Sequence, residues 1–163
     1  MKAVSRQRVL VVDDESGMNE HITDILERAG FEVFAAVDGV AGLEAFRSTD
    51  PHVVILDIFM PKKDGLEVLI ELRHKRSRVP VLVISGKQLL LSDSSMGLAK
   101  QLGASDVLGK PFTPEELVNR VSCLVRARAD EAPASSGPHE TKFVTLQWCV
   151  DGLKSRFGGS GRK

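Results

Sequence analysis

Three aspartates stand directly behind apolar runs: Asp13 and Asp14 follow "RVLVV" at 8–12, and Asp57 follows "HVVIL" at 52–56. An isolated carboxylate at the end of a buried strand is prohibitively costly, so such groups must be paired, solvated or bound to a metal. Ser85 closes a fourth run, "VPVLVIS" at 79–85, and Lys110 follows a fifth, "SDVLG" at 105–109. If the runs lie side by side and parallel, all five polar groups fall on one rim. Three carboxylates gathered there repel by about 4 kcal/mol per pair at ~4 Å and an effective dielectric of 20, so a counterion is required. Hard oxygen donors with no His or Cys among them favour Mg²⁺, which keeps several waters and takes only one or two carboxylates directly.

The elements that must position these groups are legible as periodicity. With "FEVFAA" at 31–36, the chain carries five short runs rich in Val, Ile, Leu or Phe and bounded by turn residues, each reading as a strand. Their near-continuous apolar character implies burial on both faces. Residues 16–29 place Met18, Ile22, Ile25, Leu26 and Ala29 on one stripe, with Ser16 as the expected N-cap and Gly30 as the stop. Segments 64–74 and 113–128 repeat the helical spacing, with fainter helices over 38–48 and 92–102. Five strands alternating with five helices imply an open α/β sheet, parallel and covered on both faces through right-handed crossovers. In such a sheet ligands bind beyond the carboxyl ends of the strands.

Bulk properties exclude several classes. A chain of 163 residues supports one domain and a small appendage. Its 22 basic and 22 acidic side chains cancel, so no global charge draws it to nucleic acid or to an anionic membrane. Cys123 and Cys149 form no CxxC or Cys/His cluster, which points to a reducing compartment, and the N-terminus lacks a signal-like apolar stretch. A cytoplasmic location with no membrane insertion is the expectation.

The motifs "VLVVDDE", "LDIFMPKKDG", "VLVIS" and "GKPF" resemble, in order and spacing, the signature of the response-regulator receiver domain, the phosphoacceptor of two-component signalling. The resemblance covers residues 6–129. It implies a flavodoxin-like doubly wound fold with strand order 2-1-3-4-5, and a switch that needs Mg²⁺. By that likeness Asp57 accepts the phosphoryl group from a histidine kinase or phosphotransfer protein. Asp13, Asp14, Asp57 and the backbone carbonyl of Phe59 would serve the metal. The Ser85 hydroxyl would bond a phosphoryl oxygen, and Lys110, before a cis peptide at Pro111, would pair with the phosphoryl charge. Such a domain is a signalling switch and not an enzyme, with at most slow self-dephosphorylation, and it acts through contacts with a downstream protein or a second copy of itself.

Two features depart from the family pattern. Receivers carry Tyr or Phe three residues before the lysine, whereas this chain has Val107 there and no tyrosine. The connection after Ser85 is slightly long and begins with Gly86, where small residues gate access to the aspartate, so output is expected through this loop and the following helix. Two other readings of the acids exist. A phosphohydrolase using Asp57 as nucleophile calls for a second acid two residues on, where this chain has Phe59. A pseudo-receiver scaffold would never be phosphorylated.

Beyond the alternation, "DEAPASSGPHE" at 130–140 reads as a linker. In the tail, 141–163, Phe143, Leu146, Val150, Leu153 and Phe157 step by three and four as on a short amphipathic helix, although Val144, Leu146, Trp148 and Val150 also alternate as in a strand.

Overall fold

The computed structural model describes residues 6–61, 63–75, 77–86 and 93–130. The expected linker and tail therefore lie outside the described residues, apart from Asp130, which ends the last helix. The order is β1 (Arg8–Val12), α1 (Ser16–Arg28), β2 (Glu32–Ala36), α2 (Gly39–Thr49), β3 (Val53–Asp57), α3 (Gly65–His74), β4 (Val81–Ser85), α4 (Asp93–Gln101), β5 (Asp106–Gly109) and α5 (Pro114–Asp130). All neighbouring strands pair in parallel, in the order β2-β1-β3-β4-β5.

Strands β3 and β4 are buried at every position, as their unbroken apolar runs require. Side chains alternate between two cores. On one face Leu10, Val12, Val54, Leu56, Val81 and Val83 pack with Leu43 of α2, Leu69 and Leu72 of α3, and Ala99 of α4. On the other, Val9, Val11, Ile55, Leu82 and Ile84 meet Ile22 and Leu26 of α1 and Leu117, Val121 and Leu124 of α5. Among the described residues no helix is long and apolar enough to cross a membrane.

Local chemistry sets the helix starts. Asp38 Oδ1 accepts from the Ala41 N–H at 2.8 Å and Asp64 Oδ1 from the Glu67 N–H at 2.9 Å. At α5, Thr113 and Glu116 form a reciprocal capping box, with Thr113 N–H donating to Glu116 Oε2 at 2.8 Å and Glu116 N–H to Thr113 Oγ1 at 3.2 Å. The expected cap of α1 differs: Ser16 is the first helical residue and Glu15 stands at the cap without a side-chain bond. The reason is upstream, where Asp13 Oδ1 accepts the Glu15 N–H at 2.9 Å and so turns the chain into the helix. Arg73 of α3 clasps the opposite end of the sheet, donating to the carbonyls of Ser77, Val79 and Gly103.

Candidate functional site

Register decides which side chains meet. Val12 pairs with Leu56, so Asp13 and Asp57, each one residue further, stand side by side at the carboxyl ends of β1 and β3. Asp57 pairs with Ile84, leaving Ser85 as the next residue of β4, and Ser85 pairs with Gly109 of β5. Lys110 follows, its N–H donating to the Ser85 carbonyl at 2.7 Å, with a cis peptide to Pro111.

The Lys110 ammonium reaches across the rim. Its Nζ lies 2.5 Å from Asp57 Oδ2 and 2.9 Å from Asp13 Oδ2. The second oxygen of each carboxylate is also occupied: Asp57 Oδ1 accepts the Phe59 N–H at 3.1 Å, as Asp13 Oδ1 accepts that of Glu15. Both carboxylates are buried, Asp13 at 1% exposure and Asp57 at 7%. Burial pushes the Asp13 carboxyl above its ordinary value, against the pull of Lys110 and the Glu15 N–H. Burial draws the Lys110 ammonium down, but its hydrogen bonds to Asp57 and Asp13 outweigh that and hold it above the usual lysine range. The ammonium is thus a fixed charge.

The other expected site residues fall around this triad. Ser85 is fully buried, and among the described residues its hydroxyl donates a long 3.4 Å bond to the Gly86 carbonyl, weak by hydroxyl standards and readily exchanged. A Cβ at Gly86 would meet nothing within 4 Å among the described residues. Phe59, its N–H spent on Asp57, is 58% exposed. Val107 is buried in the same core as Val83 and Ala99. Asp14 is exposed, and among the described residues no three His, Cys, Asp or Glu side chains are gathered in ligating geometry.

The donor set nevertheless fits a divalent ion. Asp13, Asp14 and Asp57 against the single ammonium of Lys110 leave a formal charge of minus two, three minus one. Two of the carboxylates already converge on one cation, and every donor is a hard oxygen, which suits Mg²⁺.

Two residues of consequence escaped the sequence reading. Asn19 of α1 is buried, and its Nδ2 donates to the carbonyls of Asp13 at 3.0 Å and Ala36 at 2.9 Å. It stands three residues before Ile22 and seven before Leu26, so a polar residue on a core stripe was the available signal. Gly65, the first residue of α3, has no room for a side chain: a Cβ there would overlap the Asp57 carbonyl oxygen.

Comparison with known proteins follows the same lines. The family model described as the response regulator receiver domain matches residues 9–122. The chain belongs to the response-regulator receiver family. It is 41% identical over 157 residues to the transcriptional regulatory protein PrrA of Mycobacterium leprae, a match spanning 96% of this chain and 65% of that protein. It is 36% identical to the alkaline phosphatase synthesis transcriptional regulatory protein PhoP of Bacillus subtilis, over 79% of this chain and 52% of that one. The chain thus spans between half and two thirds of the length of these relatives. Among solved structures, the receiver domain of the Francisella response regulator 1452 superposes with a TM-score of 0.71 at 30% identity, covering 76% of this chain and 99% of that one. The flavodoxin-like strand order expected for this receiver family is the order observed.

Proposed function

We propose that this receiver is a phosphorylation-dependent switch in which Asp57 takes a phosphoryl group from the phosphohistidine of a sensor kinase or phosphotransfer protein. The observation that carries the proposal is the Lys110 ammonium held between Asp13 and Asp57, with the Ser85 hydroxyl at the end of the adjacent strand. Phosphoryl transfer depends on positioning and charge neutralisation more than on covalent machinery from the protein.

Asp57 supplies the attacking oxygen. Its Oδ1 is oriented by the Phe59 N–H and its Oδ2 by Lys110, so the carboxylate is held in place at the strand end. The O–P bond forms as the N–P bond of the donor breaks, and the electron pair of that bond returns to the donor imidazole. Lys110 then follows the new negative charge onto the phosphoryl oxygens, releasing Asp13. Ser85, weakly engaged with Gly86, redirects its hydroxyl to another phosphoryl oxygen. Asp13 and Asp14, with Asp57 and the Phe59 carbonyl, would hold Mg²⁺. When bound, that ion supplies neutralisation of the charge spread over the transferred group.

The switch lies in the two partners that move. Charge-assisted bonds from Lys110 and Ser85 to the phosphoryl group favour one arrangement of the β4 and β5 ends, and taking a domain from 1:99 to 99:1 needs about 5.5 kcal/mol of such preference. Val107 occupies the position of the family's aromatic, so transmission here uses the loop after Ser85 and helix α4, toward a downstream protein or a second copy of the chain. Slow loss of the acyl phosphate by hydrolysis resets it.

Intact mass spectrometry after incubation with acetyl phosphate and Mg²⁺ tests the proposal. The wild type should gain one phosphoryl unit and Asp57→Asn none. A wild type without the gain would indicate a scaffold, and continuous release of phosphate from small esters would indicate a phosphohydrolase.

A further inference from the structure

Among the described residues four polar or charged side chains are buried: Asp13, Asp57, Ser85 and Asn19. The first three line the phosphoacceptor rim, and buried polar groups are informative because they are costly. Asn19 lies on α1, one turn beyond the acidic loop. Both hydrogens of its Nδ2 are used, on the carbonyls of Asp13 and Ala36. Its Oδ1 is buried without a partner among the described residues. The amide cannot be reversed to relieve this, because Oδ1 would then face two carbonyl oxygens.

We infer that Asn19 is a positioning residue of the cation site, setting the direction in which Asp14 leaves the sheet. This rests on the phosphoacceptor reading above. The Asp13 carbonyl belongs to the peptide unit joining Asp13 to Asp14, and that unit is planar. Holding its oxygen on Asn19 Nδ2 therefore fixes the orientation of the bond from which Asp14 continues. The same residue is tied at its other side, where the Asp13 N–H donates to the Ala36 carbonyl at 3.2 Å. Asn19 thus bridges the carboxyl ends of β1 and β2, and α1 is braced against it by its own N–H to the Glu15 carbonyl at 2.9 Å and by the Thr23 hydroxyl on its carbonyl at 2.8 Å. Asp14 itself is exposed, and the backbone at Asp13 sets where its side chain starts.

The test is a Mg²⁺ titration of the full chain by isothermal calorimetry, comparing wild type with Asn19→Leu, which keeps the shape without donors, and with Asn19→Ser, which keeps one donor. Loss of an outer support to a metal ligand weakens binding by about tenfold or more. Asn19→Leu should show that rise in Kd, with the Mg²⁺ concentration for half-maximal Asp57 phosphorylation rising by the same factor, and Asn19→Ser should fall between. Should the leucine variant fail to fold, Asn19→Ser carries the comparison. In wild-type NMR spectra the Asn19 side-chain NH₂ signals should shift with the same Mg²⁺ midpoint as the Asp14 amide. An Asn19→Leu variant with wild-type Kd, or NH₂ signals that stay still at saturating Mg²⁺, would overturn the role of Asn19 and leave the phosphoacceptor reading intact. A wild type that takes up no Mg²⁺ would overturn both.

Discussion

Asp13 and Asp57, on neighbouring strands, share a single cation: the Lys110 ammonium lies 2.9 Å from one carboxylate and 2.5 Å from the other. Each of the three groups satisfies a charge that would otherwise be stranded in a poorly hydrated site, and removal of one partner exposes the rest to the full penalty.

Replacing Lys110 with Met keeps the stem and removes the charge. Two buried carboxylates are then left facing each other, and the metal-free protein should lose about 3 kcal/mol of stability. Urea unfolding in the presence of chelator measures this. Added Mg²⁺ should return part of the loss, because a ligand that binds only the folded state stabilises it. A Lys110→Met protein as stable as wild type without metal would show that the ammonium does not neutralise the pair.

Gly65 sets a second constraint on the same aspartate. It opens α3, its N–H donates to the Ile58 carbonyl at 2.9 Å, and a Cβ would collide with the backbone oxygen of Asp57. That neighbour is main chain in the central strand and has nowhere to go. Gly65→Ala should therefore cost about 1–3 kcal/mol, the range of overpacked cores, and should slow phosphorylation of Asp57 as well. A melting temperature equal to wild type would mean that α3 can shift away freely.

The chain shows why some of this was readable in advance and some not. Strand positions came through because runs such as "VVIL" and "VLVIS" have one solution, burial on both faces. Asp13 and Asp57 could be expected on one rim because parallel order places all carboxyl ends together. What periodicity does not carry is side-chain reach. The sequence reading directed Lys110 toward a phosphoryl group and left the acids to a metal, whereas here the ammonium itself bridges Asp13 and Asp57. The role of Asn19 was hidden for a related reason: a single polar residue on the stripe of Ile22 and Leu26 looks like an imperfection until the two carbonyls it bonds are brought together by pairing of β1 with β2. Ser16 misled as a cap because Asp13, two residues before Glu15, already serves the turn.

The opposite end of the sheet carries a pH response of its own. His52 Nδ1 accepts the Arg8 N–H at 3.0 Å, which requires that nitrogen to be unprotonated. Burial lowers the imidazole below its ordinary value, and the charges of Arg8 and Arg128 lower it further, opposed by that of Asp50. A histidine whose folded value lies below its unfolded value of about 6.5 is held neutral by folding, so the unfolded chain binds the proton more readily. Stability from this group is complete above pH ~6.5 and is lost as pH falls through the folded value, with a slope of at most about 1.4 kcal/mol per pH unit for one proton. His52→Asn provides the control, since an amide oxygen can accept the Arg8 N–H without titrating. Denaturant unfolding from pH 7.5 to 5 should show a steeper loss for wild type than for His52→Asn, with the two curves converging toward the neutral end. Parallel curves across that range would place the acid sensitivity of the fold elsewhere.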